Sequence, residues 1–300
     1  MSAARKLLCI GLGEVLWDLL PAGKQLGGAP ANFAYHAHAL GAEALVVSRV
    51  GNDALGQEIL ERLRALGLPT NCVAVDAAAA TGTVSVELSA DGQPRFTIHE
   101  DVAWDRIIAE ETALAQARSA AALCFGSLAQ RSELSRQSIR KLVAATPAHA
   151  LRIFDINLRQ QFYSLEIVKT SLRLASVLKI NDAELPVLAR LLDLPDDTRS
   201  QISELARRFE LRLVALTRGS SGSLLFSEGR WSEHAGLRMA VKDTIGAGDA
   251  FTAAMALGVL AGWPLDLVNE RANEVAAFVC SQAGATPMLS VELKRTFNPV

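Results

Sequence analysis

The sequence predicts an α/β protein with a mainly parallel central sheet, helices on both faces and a small antiparallel element beside it. Three observations predict this. Continuous apolar runs recur at Leu7–Gly11, Ala44–Val50, Ala122–Gly126, Leu151–Ile156, Ser176–Ile180 and Leu213–Thr217, as suits strands buried on both faces. Helical spacing marks the stretches between them, such as Ala31–Leu40, Leu55–Leu66, Arg131–Ala145, Leu165–Leu174 and Gln201–Glu210; strands alternating with helices imply parallel pairing. The rhythm breaks once. Thr81–Ser89 alternates apolar and polar, Asp91-Gly92 follows, and Arg95–His99 alternates again, a strong hairpin signal. A second hairpin is expected across Ser223–His234, around Glu228-Gly229.

Half of the 300 residues are apolar, enough for a sizeable core. The formal net charge is -2, and no basic stripe points to nucleic acid. Cys9, Cys72, Cys124 and Cys280 are far apart and form no C-x-x-C pair. That spacing suits neither a metal site nor a disulfide framework, and reduced cysteines fit a cytoplasmic protein. The start, MSAARKLLCIGLGEVLWDLLP, has a basic touch before apolar residues. Gly11, Gly13, Glu14 and Asp18 interrupt that run, so it reads as a buried first strand. No apolar stretch reaches membrane-spanning length. With no Pro/Ser-rich linker, residues 1–300 read as one main domain.

Chemistry is concentrated in Asp243-Thr244-Ile245-Gly246-Ala247-Gly248-Asp249, which opens a long apolar helix, Ala250–Leu260. Glycines at a helix start let backbone N–H groups converge on an anion, and the helix dipole adds to the attraction. A carboxylate inside such a site is costly unless it has a task, and accepting a proton from an attacking hydroxyl is one. The plainer reading of Asp249 is a helix cap. Two common nucleotide signatures are absent. There is no G-x-x-x-x-G-K-[ST] loop and no G-x-G-x-x-G after the first strand, which disfavours a common nicotinamide dehydrogenase. Gly27-Gly28-Ala29-Pro30-Ala31-Asn32 forms a second helix start. There Pro30 suits the first turn, Gly28 permits close ligand approach and Asn32 offers an amide to hydroxyls. Asp18 offers a two-oxygen acceptor.

These segments, in order along nearly the whole chain, resemble the ribokinase-like, or PfkB-type, carbohydrate kinases. GEVLWDLLP and LGGAPANFAYHAHALGA look like that family's sugar-binding segment. VSRVGNDALGQEIL, DINLRQQFY, LKINDAEL and LTRGSSGSLL look like its middle motifs, and DTIGAGDAFTAAMA like its second signature. GEVLWD, GGAPANF, FGSLAQR and DINLRQQFYS together look most like bacterial fructokinases.

The resemblance implies a three-layer α/β/α fold with a small β lid, formed by segments near 14–26 and 72–102. It implies ATP and Mg2+ as cofactors and a sugar as substrate. Asp249 would be the base, with Gly246, Ala247 and Gly248 giving N–H groups to the phosphoryl. Asp18, Gly28 and Asn32 would grip the sugar, with Arg159 near the substrate or phosphoryl. Asn181 and Glu184 match the N-x-x-E motif linked to Mg2+ and its waters. Thr217, Gly219 and Gly222 would border the nucleotide, and Asn273 would sit near the adenine. Many members hold a monovalent cation such as K+ beside the anion hole. Asp243 and carbonyls near Ile245, Val279, Gln282 and Gly284 match those positions, while Met288 replaces an oxygen-bearing side chain. The family's lid often pairs with another subunit, which implies a homodimer. Trp17 and Trp104 are expected at the sugar site, Trp231 and Trp263 in packing. His36 and His38, two apart on a helix, face different ways. The leading substrate is fructose. Ketodeoxygluconate or another small sugar, a nucleoside, and a regulator without turnover stay open.

Overall fold

The computed structural model describes residues 7–20, 23–88 and 94–297. The first apolar run forms β1 (Leu8–Leu12). Next come the antiparallel pair β2 (Leu16–Leu20) and β3 (Gly23–Gly27), then α1 (Ala29–Ala39), β4 (Glu43–Gly51), α2 (Ala54–Ala65) and β5 (Val73–Asp76). A second antiparallel pair, β6 (Thr83–Leu88) and β7 (Pro94–Ile98), precedes α3 (Glu111–Ser119), β8 (Ala122–Phe125), α4 (Glu133–Ala145), β9 (Leu151–Asp155), α5 (Leu165–Leu174) and β10 (Val177–Asn181). Then follow α6 (Leu185–Leu192), α7 (Thr198–Phe209), β11 (Leu213–Thr217), the hairpin β12 (Ser223–Ser227) and β13 (Arg230–His234), α8 (Ala247–Leu260), α9 (Leu265–Cys280) and α10 (Val291–Phe297). The Asp91-Gly92 turn lies outside the described residues.

Nine strands form the main sheet in the order β13-β12-β11-β10-β9-β8-β1-β4-β5. All pairs from β5 to β11 are parallel, and β12 and β13 add antiparallel at one edge. Strand side chains alternate between two cores. Leu213 and Ala215 face the core under α1, α2, α8 and α9; Val214 and Leu216 face the one under α3 to α7. That alternation explains the unbroken apolar runs, because neither face of a central strand meets water.

The small sheet has the order β3-β2-β6-β7. The β6–β7 pair is antiparallel as expected and the β2–β3 pair is antiparallel too, but β2 and β6 run parallel. The two strands come from separate hairpins, so no tight turn dictates their relative direction. The residues of β3 give no strand signal of their own, since Gly23, Lys24 and Gly27 carry little strand propensity, and only the resemblance, with its lid segment near 14–26, points to this hairpin.

One contact fixes how α1 lies on the main sheet. A Cβ added at Gly11, on β1, would stand 1.9 Å from the Pro30 carbonyl oxygen in the first turn of α1. Gly11→Ala must push the helix off the sheet. We expect destabilisation of about 2–4 kcal/mol, at or above the usual range for overpacking, read as a lower urea midpoint. An unchanged midpoint would contradict this.

Candidate active site

The carboxyl ends of β1, β9 and β10 open into a cleft of about 570 Å³, roofed by the small sheet. Such sheets place ligands there because loops and helix starts converge at that edge. Asp18 of β2, Val84 of β6 and Ile98 of β7 line the roof. Gly28 and Asn32 of α1, Arg159, Asn181, and Ile245, Gly246, Gly248 and Asp249 line the rest. A second cavity, of about 640 Å³, opens beside the starts of α4 and α5. It sets Arg106, Arg131 and Arg136 against Glu100, Asp101 and Asp105 and contains none of the sequence-predicted site residues.

Asp249 sits in the first turn of α8, where backbone N–H groups lack helical partners. Its Oδ2 accepts a 2.8 Å hydrogen bond from Asn32 Nδ2. Gly246 caps the helix at φ 77°, and a Cβ there would come within 2.6 Å of the Ala285 carbonyl oxygen. Only glycine makes this turn without strain. A Cβ at Gly248 would stand 3.0 Å from Lys179 Nζ. The missing side chains leave the N-terminal amides of α8 open to the cleft.

Beneath this turn lies a buried ion pair. Lys179 Nζ donates to Asp155 Oδ1 at 3.1 Å, and Thr252 Oγ1 donates to Asp155 Oδ2 at 3.1 Å. Burial alone would lower the Lys179 pKa, but Asp155, Glu184 and Asp249 outweigh it and hold the ammonium's pKa raised. Burial, then the Asp155 charge, push the Asp249 carboxyl up to about 7, against Lys179, the Asn32 bond and Arg159. A base with a pKa near the working pH is well matched to proton abstraction.

Burial also pushes Glu14 up to about 7 and Asp18 up to about 6, with Arg159 opposing both. All three carboxyls bind protons more tightly folded than unfolded. Their contribution to stability is complete below the ordinary carboxylate range, about 4, and is lost as pH rises through these values. Asp18→Asn should therefore raise Tm relative to wild type at about pH 8 and change it little at about pH 4. Equal Tm shifts at the two pH values would refute this.

The sequence model described as pfkB family carbohydrate kinase matches residues 22–292. The chain belongs to this family. It is therefore a carbohydrate kinase, and its fold agrees with those of its relatives. The crystal structure of a Pyrococcus horikoshii sugar kinase in complex with ATP aligns with TM-score 0.79 at 28% identity, covering 93% of this chain and 94% of that one. A fructokinase of Klebsiella pneumoniae is 30% identical over 287 residues, 92% of each chain. A fructokinase with bound ATP from Xylella fastidiosa aligns with TM-score 0.84 at 20% identity over 99% of both chains, a likeness of fold.

The remaining expected site residues of this kinase fall into three groups. Asn181 lines the cleft, and its Oδ1 accepts from the Ala183 and Glu184 N–H groups. Glu184 lies behind it, accepting from the Asn181 and Leu158 N–H groups, both at 3.0 Å. Its carboxylate thus braces the loop that carries Arg159. Asp243 clasps two loops, accepting from the Ile245 and Gly284 N–H groups at 3.0 and 3.1 Å. Val279 and Gln282, joined by a backbone hydrogen bond, stand at the end of α9, where the Cys280 carbonyl accepts from Asp243 N–H. Met288 is 81% exposed. Thr217 ends β11, while Gly219 and Gly222 shape the turn into β12.

Two expectations, those for Trp17 and Trp104, fail on side-chain placement. Asn273 is buried on α9, where its amide donates to Ser223 Oγ at 2.7 Å and to the Asn269 carbonyl at 2.8 Å. It holds α9 to the start of β12, beside the turn that Gly219 and Gly222 shape. Trp17 is buried, with Nε1 donating to the Leu55 carbonyl at 3.0 Å. Trp104 is fully buried under the Arg131 guanidinium, 4.0 Å from its ring. Both tryptophans are core residues, because large aromatic area is worth more buried than at a polar cleft. Trp231 packs on Phe226, and Trp263 on Phe297. His36 is fully buried, its Nε2 2.9 Å from the Ala285 carbonyl oxygen. Among the described residues, no helix is long and apolar enough to cross a membrane.

Proposed function

We propose that this kinase transfers the terminal phosphoryl of ATP to a hydroxyl of a small sugar, D-fructose first, giving fructose 6-phosphate. The observation carrying this reading is the Asn32–Asp249 hydrogen bond. It joins the helix start suited to gripping a polyol to the helix start suited to holding a phosphoryl. Asp249 would take the proton of the attacking hydroxyl while oxygen bonds to the γ-phosphorus and the bond to ADP breaks. The open amides of Gly248 and its neighbours, with Lys179 beneath, would stabilise charge on the transferring group. ATP would arrive with Mg2+, which neutralises phosphate charge; Asn181 lines the cleft where it would be met, with Glu184 fixing that turn. Arg159 would reach the phosphoryl or substrate. Thr217, Gly219 and Gly222 would border the nucleotide. The loops clasped by Asp243 would hold a K+ ion mostly through carbonyls. The fructokinase relatives favour fructose, whereas Arg159 in the cleft favours an acid sugar such as ketodeoxygluconate.

Coupled ADP release over a panel of sugars, with and without K+, tests these points. Fructose should give the highest kcat/KM. No response to any sugar would defeat the reading. A preference for ketodeoxygluconate would replace the substrate alone, and indifference to K+ would remove the cation. Pairing of two copies through the small sheet belongs to the same reading, and a monomeric mass by light scattering would remove it.

A further inference from the structure

Two buried oxygens of cleft-lining residues have no hydrogen-bond partner among the described residues. They are Glu14 Oε2 and Asn32 Oδ1. Both residues line the cleft, and each is only 4% exposed. Unmet buried acceptors are costly, and two of them in one small region call for a common explanation.

The local geometry supplies one. Glu14 follows β1 and interacts with the backbone N–H groups of Glu14 and Ala29, at the start of α1. Asn32 stands three residues beyond Ala29, so it lies on the same helix face, one turn along. Its Nδ2 is committed to Asp249 Oδ2. An amide that turns its N–H2 toward one carboxylate turns its oxygen away, and that oxygen needs a donor. An ionised Glu14 has no proton to give. A protonated Glu14 has one, and a single proton shared between these two cleft-lining side chains would meet the need of both oxygens.

We propose that Glu14 works as a neutral carboxylic acid that donates its O–H to Asn32 Oδ1, fixing the Asn32 amide so that its N–H2 faces Asp249. Glu14 is then a positioning residue for the base. This rests on the reading of Asp249 as that base.

The surrounding charges are consistent with a retained proton. Burial raises the Glu14 pKa most, and the Asp249 charge on α8 adds to it, against the backbone N–H groups of Glu14 and Ala29. Arg159, from the loop after β9, also lowers it. Asp18 of β2 and Lys179 of β10 line the same cleft. The two carboxyls form a coupled pair whose two protons leave in sequence. The active form has lost the Asp249 proton and kept that of Glu14. Wild-type kcat should therefore rise as Asp249 ionises and fall again at higher pH as Glu14 ionises.

Two measurements test this. In Glu14→Gln the side-chain amide donates as the acid did but does not titrate. The alkaline fall in kcat should disappear, while Glu14→Ala should lower kcat on the order of 10- to 100-fold at every pH. A wild-type profile with no alkaline fall, an unaltered fall in Glu14→Gln, or a folded Glu14→Gln inactive at every pH would each overturn the proposal.

Carboxyl 13C NMR of glutamate-labelled wild type should show a Glu14 resonance titrating near neutrality instead of near 4.3. Glu14→Gln assigns it. If that variant does not fold, Glu184→Gln assigns it by eliminating the other buried glutamate with a raised pKa. A Glu14 resonance titrating below about pH 6 would also overturn the proposal. Full turnover by Asp249→Asn would remove the base assignment but leave the Glu14 titration in place, so the two failures are separable.

Discussion

Asp249→Asn is expected to lower kcat by roughly 10²- to 10⁴-fold, the range carried by a positioned general base. The substitution keeps the shape of the side chain, and its carbonyl can still accept from Asn32 Nδ2, so the proposed sugar grip survives and KM should change little. Stability should move the other way. The folded protein raises the Asp249 pKa to about 7, so above that pH wild type buries a charge that asparagine lacks. Tm should therefore equal or exceed that of wild type at about pH 8. Single-turnover rates and thermal melts on the same samples check both halves. Wild-type turnover would end the assignment of Asp249 as base, and a large fall in Tm would show that its main role is structural.

Lys179→Met should have the largest effect on stability. It leaves Asp155, 3% exposed, without its ammonium partner. Breaking a buried pair from one side costs about 3–5 kcal/mol, a large share of the 5–15 kcal/mol that holds a typical domain together. The expected readout is a much lower urea midpoint. Asp155→Asn in the Lys179→Met background should recover part of the loss, because the uncompensated charge is then gone. Any residual kinase activity in the single variant should need a higher pH, since Lys179 is one of the groups that restrain the Asp249 pKa. A near-wild-type midpoint would mean that water reaches Asp155 and that the pair is not sealed.

The sequence made some of this legible and hid the rest for physical reasons. Strands such as Leu151–Asp155 and Leu213–Thr217 are found at or close to their predicted bounds, because burial on both faces writes an unbroken apolar run. Asp249 stands out because its glycines are adjacent in the chain. Glu14 and Lys179 do not. Glu14 reads only as a break in an apolar run, and Lys179 as a polar residue inside a strand. Their meaning comes from partners such as Asp155, 24 residues before Lys179, which only the folded chain brings close. Trp17 and Trp104 misled for a related reason. Lying near a site along the chain does not tell which way a side chain turns, and both turn into the core.

The hydrogen bond between Asn32 and Asp249 spans 217 positions, and His36 reaches the Ala285 carbonyl across 249. During synthesis Asn32, part of the proposed sugar grip, leaves the ribosome while most of the chain, including α8, is still unmade. Long-range closures of this kind come late because loop entropy must be overcome first. Nascent chains carry the residues proposed to grip the substrate long before the proposed base exists. On the proposed roles, catalytic competence is among the last properties the polypeptide acquires, and a chain cut short before α8 would have the roof of the cleft and Asn32 but not Asp249.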